Sequence, residues 1–374
     1  MQKALLIALA TLLVLAACTT QAPTNEQTIQ TQETTILLEP LLSGLEHPWA
    51  VAFLNEEELL ITERPGRIQH HNLATNTTTQ VTGLPTIAAS GQGGLLDLAL
   101  HPQFEENNLI YYTYSKQTNQ TTSTTLARAR YENHALHEQE ELISAGAGTT
   151  NRHYGSRIAL DDTYVYVSIG DRGERERAQD KSDLAGTIIR LYHNGSTPQD
   201  NPFVEETNAR DEIYAYGVRN PQGLIIHPRT GELWEQEHGP RGGDEVNVIR
   251  AGNNYGWPNF TLGREYYGPS IGVDTPPEGI TGPLHHWTPS IAPSGMTYYQ
   301  ATAIPEWTDN IFIGALAGEL LTRLVFEEEQ LIHEEQLLQG TIGRIRDVRT
   351  GPDGKLYLLT DQRNGGLYRI SQAP

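Results

Sequence analysis

One short unit recurs six times along the chain, and it constrains the fold more than anything else in the sequence. The copies are "PWAVAFLNEEELLITERPGRI", "GLLDLALHPQFEENNLIYYTYS", "GSRIALDDTYVYVSIGDRG", "NPQGLIIHPRTGELWEQEHGP", the pair "SGMTYYQ" and "NIFIGALAGELLTRLVF", and "IRDVRTGPDGKLYLLTDQRNGGLYRI". Each is an apolar strand, a polar turn and a second apolar strand, and almost no 3.6-residue period runs between the copies. Such a hairpin cannot bury both faces alone. It becomes stable when four-stranded antiparallel sheets stack against one another and close a ring around a channel. The copies are roughly 47 to 72 residues apart, beyond the minimal blade of about 40–45, so some inter-strand loops are long. The expected fold is all-β, a six-bladed β-propeller of four-stranded antiparallel blades over residues 36–374. A pair of β-sandwiches is the alternative, disfavoured by six echoes of one unit. Composition agrees: 17 Tyr, 35 Gly and 21 Pro suit strands and turns, and 2 Met and 6 Phe leave little for a helical core.

In a propeller the same end of every second strand faces one mouth of the channel. The residues that follow those strands are Glu63 and Arg64, Asp171 and Arg172, Glu237 and His238, and Asp361 and Gln362, and they are expected to converge.

The N-terminal stretch "MQKALLIALATLLVLAAC" has one basic residue, Lys3, then an apolar run ending in small residues. That is signal-peptide architecture, and the run is short for a transmembrane helix. "LAAC" resembles the bacterial lipobox, so residues 1–18 read as a lipoprotein-type signal ending at Cys18, the chain's 1 cysteine. An ordinary signal peptide with an incidental cysteine is the alternative. Residues 19–35, Thr/Gln-rich and without period, read as a flexible tether. The expectation is an exported protein, periplasmic or on the outer surface, held to a membrane only through that lipid. A formal net charge of −20, from 26 basic and 46 acidic residues, speaks against nucleic-acid or anionic-lipid binding by the folded part.

Six stretches are more specific than the repeat: "GQGGLLDLALHP", "RHYGSRIAL", "YGVRNPQGL", "EHGPRGGDEVNVIRAGNNYGWP", "PSIAPSGMTYY" and "GRIRDVRTGPDGKLYLLTD". In this order they closely resemble the soluble PQQ-dependent aldose sugar dehydrogenases, a family that includes the soluble quinoprotein glucose dehydrogenases. The resemblance runs from Leu41 to the C-terminus.

The resemblance implies two cofactors, PQQ and Ca²⁺, and a small aldose as substrate, with an external electron acceptor. It places the calcium on the backbone carbonyls of Gly239 and Pro240; calcium takes oxygen ligands in flexible geometry. Asp244 and Glu245 are then braces of that loop, with direct ligation as the rival reading. It places Arg344 and Arg346 on the carboxylates of PQQ, where planar guanidinium groups make bidentate contacts, and their i, i+2 spacing puts both on one face of a strand. Arg219 and Asn220 match a further contact to PQQ, and Asp361 joins the cofactor-binding set. Gln92 matches a position beside the catalytic centre, able to bond the base or the quinone. His153 matches the general base, and imidazole titrates in the right range for that task; His238 is the competing imidazole. Arg64 and Arg175 read as surface charges.

Departures from the glucose-dehydrogenase branch bear on substrate preference. An acid precedes the base there, whereas Arg152 stands here. Ala317 falls near the position of a PQQ-contacting lysine, and Asp171–Arg172 replaces an acid–Gln pair. Two other functional classes fit a propeller: a calcium-dependent lactonase or other hydrolase, built on side-chain carboxylate ligands, and a non-catalytic glycan-binding propeller with an aromatic mouth.

Overall fold

A computed structural model of the chain describes residues 25–267 and 271–374. The signal peptide expected at residues 1–18, with Cys18, falls outside the described residues. The described part folds into six antiparallel sheets. Blade 1 spans residues 48–80, blade 2 residues 95–148, blade 3 residues 158–216, blade 4 residues 221–287 and blade 5 residues 293–337. Within each of these, four strands follow one another as a meander. The first strand of every blade is innermost and meets the first strand of the next, so the ring closes around an axis.

Blade 6 is assembled from both ends of the chain. Ile345–Thr350, Leu356–Thr360 and Gly365–Gln372 are joined by Thr35–Leu45 from the N-terminal side, with Ile36 opposite Gln372 and Leu38 opposite Ile370. A further strand, Gln27–Gln30, pairs antiparallel on the outer edge, with Gln27 opposite Leu38 and Gln30 opposite Thr35, and makes this sheet five-stranded. The tether expected over residues 19–35 is therefore shorter, because residues 27–35 belong to the sheet. The Thr/Gln composition that resembles a linker also suits an edge strand and a tight turn. The Thr31 hydroxyl donates to the Thr34 carbonyl at 2.7 Å, and the Gln32 N–H donates to Glu335 at 2.7 Å.

The apolar alternation is used between blades. Trp49, Leu60 and Ile68 of blade 1 pack on Leu95, Tyr112 and Tyr114 of blade 2. Tyr111 and Leu126 of blade 2 meet Val167 and Ile189 of blade 3. Leu38, Ile345 and Leu356 of blade 6 meet Trp307 and Phe312 of blade 5. Each fully buried side chain of this size contributes about 1.5–3 kcal/mol, and the ring is held by repeating such seams.

The channel is closed beneath the mouth by charge. Arg157, buried on the axis, donates to Asp347 at 2.8 Å, to the Gln222 carbonyl at 2.6 Å and to the Arg346 carbonyl at 3.0 Å. Arg349 bridges Asp347 at 3.0 Å and Asp97 at 2.9 Å. The Arg157 guanidinium also lies 4.1 Å over the Trp49 ring. Two cations and two anions thus tie blades 1, 2, 3, 4 and 6 together, each carboxylate held by donors on several sides.

Candidate active site

A cleft opens above that plug, with about 640 Å³ of empty space including the part open to solvent. Arg64, Gln92, Asn220, Arg344, Arg346 and Asp361 all line it. Arg64 comes from blade 1, Arg346 and Asp361 from blade 6, and Gln92, Asn220 and Arg344 from the segments between blades, so the convergence expected from the repeat is realised by part of the set. Arg64, His238 and Asp361 reach the cleft, and Arg64 is a wall residue rather than a surface charge. Glu63 turns away to Arg67 and Gln69, both at 2.8 Å. Arg172 is buried, donating to the carbonyls of Thr122 and Gly146 at 2.7 and 2.8 Å and lying 3.8 Å over Tyr154. Glu237 accepts the N–H groups of Arg219 and Asn220. Gln362 is exposed.

His153 stands beside Gln92 at the rim. Its backbone sits in the left-handed region, φ 52°, an uncommon conformation for a residue with a side chain. Gln92 holds it there, its Oε1 accepting the His153 main-chain N–H at 2.7 Å. The contact Gln92 makes is to His153, through the backbone. Gly170 lies directly behind, where a Cβ would collide with the His153 carbonyl oxygen. The imidazole Nδ1 is 2.6 Å from Asp171 Oδ1, and the Trp257 indole N–H donates to Asp171 Oδ2 at 2.8 Å. Burial pushes the His153 pKa down, and the bond to Asp171 opposes but does not reverse this. Burial also works against the Asp171 charge, but His153 and the nearby Arg219 outweigh it, so that carboxyl titrates below its usual range. The pair is a neutral imidazole held by an ionised carboxylate, with Nε2 left free of protein partners among the described residues.

His238 is a different imidazole. Its Nε2 is 2.6 Å from the Pro293 carbonyl, and burial pushes its pKa down to about 3. It is a neutral donor locked to a backbone oxygen, which suits a structural role.

The guanidinium groups divide by burial. Arg346 is 7% exposed and is fixed by Asp361 at 2.7 Å and Gln222 at 3.0 Å. Arg344 has a 43% exposed side chain, 3.8 Å from Asp361. Both face the cleft, although Arg344 precedes the strand that carries Arg346. Asp361 lines the cleft with its oxygens engaged, one by Arg346 and one by His47 Nδ1 at 2.9 Å. Arg219 is buried beside Trp257 rather than in the cleft lining, and donates to the His238 carbonyl at 2.9 Å. The Nε atoms of Arg219 and Arg346 are buried without a partner among the described residues. Unmet buried donors are costly unless a ligand supplies an acceptor, so the site fits an anionic guest.

At Gly239 and Pro240 neither carbonyl oxygen accepts a hydrogen bond among the described residues. A side chain at Gly239 would collide with the Gly242 and Gly243 carbonyls. Asp244 braces the corner as expected: it accepts Gly239 N at 2.9 Å, Ile291 N at 2.8 Å and Ala292 N at 3.0 Å. Burial holds Glu237 and Glu245 above the ordinary carboxyl range, Glu237 at about 7, and the Glu237 charge adds to the rise in Glu245. Free carbonyls beside under-neutralised acids fit an oxygen-loving cation. Sequence reading missed Trp49, Gln222 and Trp257. The last two lie inside quoted motifs, but nothing in their spacing showed which groups they would hold.

Fold and site together define a six-bladed propeller enzyme scaffold: a guanidinium-walled cleft over the axis and an imidazole–carboxylate pair at its rim. The chain belongs to the glucose/sorbosone dehydrogenase family, whose profile matches residues 45–369. It is 37% identical to the aldose sugar dehydrogenase YliI of Escherichia coli, over 90% of this chain and 93% of that protein. It is 30% identical to quinoprotein glucose dehydrogenase B of Acinetobacter calcoaceticus, over 86% of this chain and 84% of that one. Among solved structures, the apo form of the soluble aldose sugar dehydrogenase from Escherichia coli superposes with a TM-score of 0.88 at 36% identity, covering 90% of this chain and all (100%) of that one. The PQQ-bound aldose sugar dehydrogenase of Streptomyces coelicolor superposes with a TM-score of 0.74 at 25% identity, covering 94% and 100%.

Proposed function

We propose that the protein is a PQQ- and calcium-dependent aldose sugar dehydrogenase that oxidises the anomeric carbon of an aldose to a lactone. The observation that carries the reading is the neutral His153, held by Asp171 beside a cleft walled by Arg344 and Arg346. Family membership and a PQQ-bound relative support the cofactor.

Arg346, Arg344, Arg219 and Asn220 are the groups that would hold the PQQ carboxylates, and the Gly239 and Pro240 carbonyls would hold the calcium. Bound there, PQQ would supply a hydride acceptor and calcium a Lewis acid. His153 takes the anomeric hydroxyl proton on Nε2, and Asp171 holds Nδ1–H so that Nε2 carries the lone pair. Gln92 keeps the ring at the rim through the His153 backbone. Asp361 and Gln222 keep Arg346 extended into the cleft, and Arg157 fixes the floor by holding the Arg346 and Gln222 carbonyls.

A lactonase of the kind built on side-chain metal ligands is less well supported. Among the described residues no group of three or more His, Cys, Asp and Glu is disposed to hold a metal. We further propose that the chain is exported and lipid-anchored at Cys18; incorporation of labelled fatty acid, lost in Cys18→Ser, tests this. The catalytic reading is tested by mixing apo-protein with PQQ and Ca²⁺ and following dye reduction across a panel of aldoses. Cofactor-dependent turnover is expected; a protein that binds PQQ yet oxidises no aldose overturns the assignment.

A further inference from the structure

Charge in this molecule is segregated along the propeller axis. Among the described residues, every Lys or Arg without a carboxylate within 4.0 Å belongs to a segment at the cleft end. Arg64 follows the second strand of blade 1 and lines the cleft. Arg152 precedes His153 and is exposed. Arg241, on the loop that begins at His238, and Arg264, on the long segment after Asp244–Ile249, are both exposed and are joined by an N–H···O bond of 3.1 Å. Arg363 is exposed on the loop after Asp361. The opposite end is the reverse. The turns between first and second strands of blades 1, 2 and 3 carry Glu56 and Glu57, Glu105 and Glu106, and Asp161 and Asp162, none of them paired with a base.

At the cleft itself three guanidinium groups, Arg64, Arg344 and Arg346, face one carboxylate, Asp361, and Arg152 and Arg219 lie near the His153–Asp171 pair beside it. The unpaired acids of the mouth-side and blade 4 loops, Glu176, Asp180, Asp274, Glu278 and Glu319, line no part of it, nor do the buried Glu237, Asp244 and Glu245 beside the Gly239 corner. The whole chain carries −20. A polyanion approaching the bulk of this protein is repelled, and one approaching the cleft is attracted. A cleft with low-dielectric walls focuses such a local field and raises association rates by about 10- to 10³-fold.

We propose that the cleft end is an electrostatic funnel that captures the tricarboxylate cofactor against the protein's net charge, with exposed Arg152 and Arg363 as its outer elements. The inference rests on the cofactor reading above. Its signature is a sign. If net charge governs encounter, salt relieves repulsion and the association rate rises with ionic strength. If the funnel governs, salt screens attraction and the rate falls. Screening changes strongly over this range, the Debye length shrinking from about 30 Å at about 0.01 M to about 10 Å at about 0.1 M.

Stopped-flow quenching of tryptophan fluorescence by PQQ, with apo-protein and Ca²⁺ at both ionic strengths, reads the rate directly. The expected result is a fall of roughly three- to tenfold across that range. Arg152→Gln/Arg363→Gln should slow association and flatten the salt dependence while the dissociation rate holds. Glu56→Gln/Glu57→Gln, which alters total charge by the same amount at the far end, should leave both unchanged. A rate that rises with salt, or equal effects of the two double variants, overturns the funnel and leaves the cofactor assignment intact. No quenching at equilibrium at either salt overturns the cofactor assignment and the funnel with it.

Discussion

Asp171 serves two partners at once: Oδ1 lies 2.6 Å from His153 Nδ1, and Oδ2 accepts the Trp257 indole N–H at 2.8 Å. The carboxylate is thereby fixed in orientation before it orients anything else. Asp171→Asn keeps the shape and removes the charge. The amide can present its N–H₂ to Nδ1, which moves the imidazole proton to Nε2 and blocks the base. Turnover is expected to drop by about 10²- to 10⁴-fold, with PQQ affinity changed far less. Equal loss in both quantities would mean that Asp171 holds the fold and not the base.

The pH profile follows from the same geometry. As the proposed base, His153 must be neutral, and burial lowers its pKa more than Asp171 raises it. The acid limb of kcat/KM therefore lies below the ordinary histidine value of about 6.5. Asp171→Asn removes a contribution that raises the pKa, so the residual activity of that variant should show its limb lower still. A wild-type limb above the ordinary value contradicts the neutral-imidazole assignment.

Arg346 and Arg344 should separate on titration with PQQ. Arg346 is held on two sides inside the protein, with Nε left for a guest. Arg346→Ala also strands Asp361 and Gln222, and a buried charge pair broken on one side costs about 2–5 kcal/mol. The PQQ dissociation constant should rise by a factor on the order of 10² or more. Arg344, 43% exposed and 3.8 Å from its acid, works in water and should give a tenfold rise or less, about 1 kcal/mol. Equilibrium fluorescence titration distinguishes the two.

Much of this was legible in the sequence, for definable reasons. The six-fold unit stated the ring because inter-strand alternation is local, and blade pairs must bury both faces. Gln92, Asn220, Arg344 and Arg346 were legible through motif order and line one cleft, and His153, legible in the same way, stands beside it, bonded to Gln92. What was hidden depends on contacts far apart in the chain. Asp171 and Trp257 are 86 residues apart, and Arg157 and Asp347 are 190 apart. No spacing rule links them. Arg64 reads as a surface charge because only ring closure carries it to the cleft wall. The N-terminal strand was hidden by composition, since Thr and Gln serve a linker and an edge strand equally well.

The closing strand is the place where the ring can be tested as a ring. Thr35–Leu45 is covalently distant from the rest of blade 6, yet Leu38 is 2% exposed opposite Ile370 and belongs to the seam with Trp307 and Phe312. Without this strand, blade 6 ends on an unpaired edge and the seam to blade 5 loses its lid. Leu38→Ala should cost about 2–5 kcal/mol, the range for a large aliphatic truncated in a packed core. Thr28→Ala, on the exposed outer strand Gln27–Gln30, should stay within about 0.5 kcal/mol. Urea unfolding followed by tryptophan fluorescence measures both. Blade 6 also carries Arg344, Arg346 and Asp361, so Leu38→Ala should expose amides of Gly365–Gln372 to hydrogen exchange before those of blade 3. Uniform loss of protection across the blades would mean that the ring opens elsewhere first.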